Sequence, residues 1–164
     1  MDLIVAVYDD WGIGKDGTQP IKLKADRKFF MMATLDSTII AGRKTIEDFP
    51  NKEPLGGRIN VVLTRSDESF PGFTVCKSIE QLNDVHALCG RKVVIGGGSI
   101  YEQLLPQCDT AYVTKIHCTP ESDTFFHNLD EDPEWFLSGV AESGEEDGIK
   151  YEMCVYRRRK FLYA

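Results

Sequence analysis

Asp26 is followed three and four residues later by Phe29 and Phe30. In a helix, that spacing sets an acid and an aromatic on one face. A carboxylate in apolar surroundings resists ionisation, so its pKa rises and it can hold or relay a proton near neutral pH. The helix dipole gives a plainer reason for an acid in a first turn.

Four other segments carry residue types suited to binding. In Trp11-Gly12-Ile13-Gly14-Lys15-Asp16-Gly17 the glycines permit tight turns and close approach of backbone to a ligand, and a surface loop would use them too. Gly42-Arg43-Lys44-Thr45 joins a glycine turn to cations at a helix start, and Arg65 follows in Leu63-Thr64-Arg65-Ser66. Two cationic loops after successive strands suit a nucleotide phosphate, although solvated surface charge has the same composition. Val93-Val94-Ile95-Gly96-Gly97-Gly98-Ser99-Ile100-Tyr101 runs a buried strand into consecutive glycines and a helix, a turn on which a pyrophosphate can rest. It is not the G-x-G-x-x-G fingerprint. In Leu55-Gly56-Gly57-Arg58, an arginine on a turn has the fork geometry for a carboxylate.

The elements that must position these segments are short. Apolar, β-branched runs at 3–7, 38–41, 59–63, 73–76, 93–95, 111–116, 135–141 and 151–156 read as strands. Helical patterns at 25–35, 78–89 and 99–105 lie between several of them. Ser78 with Gln81, and Ser99 with Glu102, have capping-box spacing; Gly90 and Pro106 mark the stops. Alternating strands and helices predict an α/β domain with a mostly parallel sheet. The last two runs are separated only by the acidic, glycine-containing stretch 142–149, so they read as an antiparallel hairpin at one edge of a mixed sheet.

Composition narrows the classes. The 164 residues fit one domain, with 42% hydrophobic and 27% charged residues in an ordinary globular mixture. No apolar run approaches the length of a membrane span, and no secretory signal is expected after Met1. With 19 basic and 26 acidic side chains the net charge is −7, which disfavours broad binding to nucleic acid. The basic run Arg157–Lys160 is therefore read as the solvated end of a strand. The 5 cysteines are odd in number, widely spaced and lack a C-x-x-C, and the 3 histidines show no ligand spacing. A disulfide framework or metal site is not expected, and free thiols in a reducing cytoplasm are.

Taken together and in order, these segments resemble dihydrofolate reductase. The resemblance runs from Leu3 to about Arg158 and rests on Gly12-Ile13-Gly14, Pro20, Ala25-Asp26 with Phe30, Thr34-Leu35, Gly42-Arg43-Lys44-Thr45, Leu55, Gly57-Arg58, Val94 to Tyr101, Tyr112-Val113-Thr114 and Asp123 to Phe126. It implies one domain over 1–160 with a short tail at 161–164. The implied fold is a central, mixed, mostly parallel eight-stranded sheet with an antiparallel C-terminal edge strand and about four flanking helices.

The implied activity is NADPH-dependent reduction of 7,8-dihydrofolate to tetrahydrofolate. Asp26 would be the active-site carboxylate, with Thr114 hydrogen-bonded to it and to the pterin. Ile4, Val5, Phe30, Phe49, Leu55, Ile95 and Tyr101 would line the substrate pocket, and Arg58 would bind the glutamate α-carboxylate. Ala6, Ile13 and Gly14 would bind the cofactor, and the stretch from Gly14 to Leu23 would be a mobile loop closing over the nicotinamide. Arg43, Lys44, Thr45, Thr64 and Arg65 match the adenosine-phosphate region, whose cations would favour the 2′-phosphate, and Gly42, Leu63 and Lys77 would also bind the cofactor. Gly97, Gly98, Ser99 and Ile100 match the diphosphate turn, the Gly96–Gly97 peptide would be cis, and Gly96 and Tyr101 would also bind the cofactor. No metal, nucleic acid or membrane partner is implied; the expected partners are dihydrofolate and antifolate inhibitors, and the expected state is a cytoplasmic monomer.

The chain departs from the family pattern at Ile21, where a tryptophan usually follows the loop proline, and at Gln19, Arg27 and Ile46. Two other readings share the motifs: a pyrimidine reductase of the riboflavin-pathway type, and a non-catalytic nucleotide-binding protein of the same fold.

Overall fold

The computed structural model describes residues 1–84 and 90–160. The elements in chain order are β1 (Asp2–Val7), β2 (Gly12–Gly14), α1 (Lys24–Thr34), β3 (Thr38–Gly42), α2 (Arg43–Glu47), β4 (Ile59–Leu63), β5 (Thr74–Cys76), α3 (Ile79–Asp84), β6 (Lys92–Gly96), α4 (Gly98–Leu104), β7 (Thr110–Ile116), β8 (Thr124–Phe125), β9 (Trp135–Glu146) and β10 (Ile149–Arg158). The main sheet has 8 strands in the order β5-β4-β3-β6-β1-β7-β10-β9. Neighbours are parallel from β5 through β7, and β10 is antiparallel to both β7 and β9.

The central strands are apolar on both faces because helices cover both faces. In β3 every residue is buried, and in β4 and β6 all but the first are. Side-chain alternation then sorts the core into layers. Leu3, Val5 and Val7 of β1 pack with Ile40, Val61, Val94, Val113 and with Leu104 of α4. Ile4 faces the other way, with Ile39, Val93, Ile95, Tyr112 and with Phe29 and Phe30 of α1. Thr114 is two residues from Tyr112 on β7, so it shares the α1 side of the sheet.

The C-terminal hairpin extends further than its apolar pattern predicts. The acidic stretch is mostly strand: β9 continues to Glu146 and pairs Glu142 with Met153 and Glu145 with Lys150. An edge strand exposed along most of its length needs no apolar alternation, so periodicity misses it. The turn is Asp147-Gly148, with φ of 51° and 79°, the backbone sign that a two-residue hairpin of this hand requires. The ribbon of β2 with β8 also goes unpredicted, since neither strand exceeds 3 residues.

The two capping boxes fare differently. Gln81 donates its N–H to Ser78 Oγ at 3.0 Å, while its side chain accepts from Lys77 N–H at 2.7 Å. The predicted helix 78–89 begins there and is described as far as Asp84; 85–89 lie outside the described residues, as does the tail 161–164. The Ser99–Glu102 box does not form. Gly97 is the N-cap of α4 and Ser99 Oγ instead accepts from Gln103 Nε2 at 3.0 Å. The basic C-terminal run is partly structural: Arg158 donates to the carbonyls of Cys108 and Leu105 at 2.9 and 2.8 Å and pairs with Glu134 at 3.0 Å.

Candidate active site

The β1–β6 ladder ends early. Asp2 pairs with Val93 and Leu3 with Val94, and beyond that point the two strands separate. The carbonyls of Ile4 and Ile95, where the ladder stops, both lie within hydrogen-bonding distance of the Tyr101 hydroxyl, at 2.8 and 2.9 Å. Open α/β sheets bind ligands in crevices of this kind, at the carboxyl ends of parallel strands. Tyr101 is buried with α4 in the layer opposite α1, so it meets this crevice through its hydroxyl. Burial, with a smaller contribution from the Asp26 charge, pushes its pKa far above the ordinary tyrosine value.

Asp26 stands in the first turn of α1, half-buried beneath the sheet. Burial raises its carboxyl pKa, and the Thr114 hydroxyl opposes that shift. Thr114 is fully buried, and its Oγ1 has no hydrogen-bond partner among the described residues. A buried hydroxyl left unpaired costs free energy, and such atoms mark places where a further polar group belongs. Around this pair Phe29, Phe30, Phe49, Leu55 and Tyr112 pack against Ile4 and Ile95. Phe29 meets Tyr112 edge-on at 6.3 Å, and Phe49 stacks on Phe73 at 6.3 Å. The sheet therefore brings together every apolar residue expected at the substrate pocket except Val5, which alternation turns to the opposite layer, and Tyr101.

Arg58 lies at the other end of α1. Its Nε donates to Thr34 Oγ1 at 2.9 Å and its Nη2 to the Met31 carbonyl at 3.1 Å. Thr34 Oγ1 in turn donates to the Phe30 carbonyl at 2.7 Å. A guanidinium on the last carbonyls of a helix is favoured by their negative end. Partial burial lowers the Arg58 pKa, and the nearby Asp36 charge offsets part of that.

The segments with phosphate chemistry gather at the ends of β3, β4, β5 and β6. Gly42 is in register with Leu63, so Arg43 and Thr64-Arg65 leave adjacent strands side by side. Arg43 pairs with Glu68 at 3.2 Å and Lys77 with Asp67 at 2.9 Å, while Lys44 and Arg65 are exposed. Leu63, the last residue of β4, and Ile100, in the first turn of α4, are both buried. The Gly96–Gly97 peptide is cis. A Cβ on Gly97 would come 3.4 Å from Thr45 Oγ1, and one on Gly98 would come 2.6 Å from Thr124 and 4.0 Å from Ile13. The glycine turn is thus enclosed by Thr45, Ile13 and Thr124, and side chains there would fill the space.

The contacts of three further side chains, Asp123 of the quoted motif among them, were not visible in the sequence, because each acts over a long separation. Asp123 accepts the Asp16 N–H at 2.9 Å, and its own N–H donates to the Gly14 carbonyl at 2.9 Å, mooring the glycine-rich loop. Tyr8 holds Ile21: its hydroxyl donates to the Ile21 carbonyl at 2.9 Å and accepts from the Ile21 N–H at 2.8 Å. Glu146 accepts from the N–H groups of Lys24 and Ala25 at 2.7 and 3.0 Å, capping α1 from the distant hairpin.

Comparison with known proteins agrees with this geometry. The family model described as dihydrofolate reductase matches residues 1–158. The chain belongs to the dihydrofolate reductase family. Among curated relatives, the dihydrofolate reductase of Bacillus subtilis is 36% identical over 150 residues, covering 90% of this chain and 88% of that one. The bifunctional dihydrofolate reductase-thymidylate synthase of Glycine max is 35% identical over 95% of this chain, and this chain spans only 33% of its length. Among solved structures, the dihydrofolate reductase from Enterococcus faecalis complexed with NADP(H) and RAB-propyl superposes with a TM-score of 0.86 at 32% identity, over 97% of this chain and 96% of that one. The mixed eight-stranded sheet expected from the resemblance is the sheet observed.

Proposed function

We propose that this chain reduces 7,8-dihydrofolate to 5,6,7,8-tetrahydrofolate with NADPH as the reductant. The observation that carries this reading is the half-buried Asp26 carboxyl beside the unpartnered Thr114 hydroxyl, on the apolar α1 side of the β1–β6 crevice. That pair suits the polar edge of a flat heterocycle. The glycine turn enclosed by Thr45, Ile13 and Thr124, with four cations at the adjoining strand ends, suits a phosphorylated dinucleotide.

NADPH, when bound, supplies the hydride that adds to the carbon of the pterin C=N bond. Asp26 accepts hydrogen bonds from the pterin ring and favours arrival of a proton at the neighbouring nitrogen, through ring tautomers or water. Its raised pKa suits that role near neutral pH. Thr114 Oγ1, unpartnered among the described residues, would sit between the Asp26 carboxylate and the pterin once substrate binds. Ile4, Phe30, Phe49, Leu55 and Ile95 exclude water, which maintains the electrostatic effect of the carboxyl. Arg58 takes the glutamate α-carboxylate. Val5 and Tyr101 support the crevice from the opposite layer, where both are buried.

On the cofactor side Ala6, Ile13 and Gly14 flank the nicotinamide, and Gly96, Gly97, Gly98, Ser99 and Ile100 offer backbone to the diphosphate. Gly42, Arg43, Lys44, Thr45, Leu63, Thr64, Arg65 and Lys77 take the adenosine end, with the cations selecting the 2′-phosphate. Antifolates compete at the pterin site. The chain works as one domain over 1–160, as a monomer, in a reducing cytoplasm; Cys76, Cys108, Cys118 and Cys154 are free thiols.

The test follows loss of nicotinamide absorbance when purified protein is mixed with NADPH and dihydrofolate. The expected result is substrate-dependent oxidation abolished by methotrexate. NADPH that binds but is not consumed with dihydrofolate overturns the reading.

A further inference from the structure

The path from the glycine-rich loop to Asp26 passes through Ile21 and Leu23 before α1 begins. Ile21 follows Pro20, and neither its N–H nor its carbonyl enters a strand or helix ladder. Both groups are instead satisfied by one atom, the Tyr8 hydroxyl, which accepts from the N–H at 2.8 Å and donates to the carbonyl at 2.9 Å. Tyr8 immediately follows β1, and its ring is 2% exposed, packed with Leu23, Ile116, Tyr151 and Met153. Its ring is therefore held by Ile116 of β7 and by Tyr151 and Met153 of β10 as well as by Leu23. Leu23, the residue that precedes α1, is 4% exposed in the same cluster.

We propose that Tyr8 is a positioning residue for the reduction: its hydroxyl locks the backbone of Ile21 to the end of β1 and so fixes the loop exit that sets Asp26 in place. A hydroxyl that serves as donor and acceptor for a single residue leaves that residue no freedom to rotate its peptide planes. The inference rests on the proposed reduction of dihydrofolate. Tyr8 touches neither substrate nor cofactor in this account and acts through Ile21.

The test uses Tyr8→Phe, which keeps the ring in its cluster and removes only the hydroxyl. Amide hydrogen exchange at Ile21, NADPH affinity and the single-turnover rate of hydride transfer are measured on wild type and variant. The expected result is faster exchange at Ile21, NADPH affinity within about twofold, and hydride transfer slowed roughly tenfold, the scale of leaving buried polar groups unpaired. A second variant, the backbone ester made by incorporating the α-hydroxy analogue of Ile21, removes the N–H donor while Tyr8 stays intact. It is expected to slow hydride transfer about threefold, since one of the two bonds survives. Faster exchange at Ile21 with unchanged hydride transfer would mean a merely structural contact and overturn the inference. An unprotected Ile21 amide in the folded wild type would overturn it as well. A wild type that does not reduce dihydrofolate overturns the functional reading and the inference with it; an active wild type matched in rate by both variants overturns the inference alone.

Discussion

The N-terminus of α1 depends on a residue far away in sequence. Its N-cap, Leu23, has no side chain that can accept a hydrogen bond, and none is made. Glu146, 122 residues from Lys24, supplies both acceptors: Oε2 to Lys24 N–H at 2.7 Å and Oε1 to Ala25 N–H at 3.0 Å. Glu146→Ala removes the cap of the helix that carries Asp26. Loss of a good cap costs about 0.5–2 kcal/mol, and a carboxylate at the positive end of a helix contributes about 0.3–1 kcal/mol more. The first turn is partly solvated, so about 1.5 kcal/mol is the expected sum, with water recovering the rest. For a chain of this size, that corresponds to a melting temperature lower by about 3–6 °C. Glu146→Gln keeps one acceptor without the charge and should lose about half as much. Because Asp26 is two residues beyond Lys24, fraying also reaches the carboxyl, and kcat with dihydrofolate should fall several-fold in the alanine variant while NADPH affinity stays put. Calorimetry and steady-state kinetics at pH 7 decide it. A melting temperature within about 1 °C of wild type, with kcat unchanged, would refute the capping argument.

Four further outcomes are expected. Asp26→Asn should bind NADPH nearly as wild type but turn over slowly near neutral pH, with partial recovery on acidification; an unchanged rate at pH 7 would defeat the proton role. The same variant should be more stable than wild type at pH 7. Burial raises the folded-state pKa of Asp26, so the folded protein holds its proton longer. The cost of burying the charge therefore appears as pH rises past the unfolded carboxyl value, about 3.9, and the advantage of Asn should vanish below it. Neutralising Arg43 and Arg65 together should weaken NADPH much more than NADH, read by equilibrium binding; equal weakening would count against a 2′-phosphate contact. His117 bridges Asp9 at 3.0 Å and Glu152 at 2.9 Å, and the Asp9 bond is the main cause of its raised pKa, with burial opposing. Its contribution is fully present below about pH 6.5 and lost as pH rises through the folded value, so His117→Gln should lower the melting temperature more at pH 5.5 than at pH 9.

Much of the fold was legible because its central strands are buried on both faces and short helices separate them. The runs at 38–41, 59–63 and 93–95 read as strands for the same reason that they are core. Periodicity failed where burial did not shape the sequence. The acidic half of β9 is exposed and its pairing is with β10 alone. The hairpin was legible in the short stretch between the last two apolar runs, and its turn at Asp147-Gly148 is set by local turn chemistry. The site divides along the same line. Asp26, the glycine turn and the cationic loops are contiguous motifs and could be read in order. Tyr8, Asp123 and Glu146 could not, because each bonds a backbone group at least 13 residues away and backbone groups carry no sequence signature. The Ser99–Glu102 spacing misled for a related reason: the backbone of the glycine turn starts α4 at Gly98, so Ser99 falls inside the helix.

Helix α1 does more than present a carboxyl. Asp26 is in its first turn, and Thr34, which holds Arg58, is its last residue. Eight residues at a rise of 1.5 Å separate them by about 12 Å. On the proposed function, a proton-handling group and a carboxylate receptor would thus sit at opposite ends of one helix, with Phe29 and Phe30 on the apolar side between them. Under that proposal the spacing would suit a ligand with a polar heterocycle at one end and an acid at the other. It also explains why both ends of α1 are anchored from outside, by Glu146 at its start and by Arg58 through Thr34 at its close. A helix of 11 residues is marginal by itself, and a slip of one residue would turn Asp26 about 100° away from Thr114. The anchors hold the rod in register, so the distance between its two chemistries is set by the sheet beneath it and not by the helix alone.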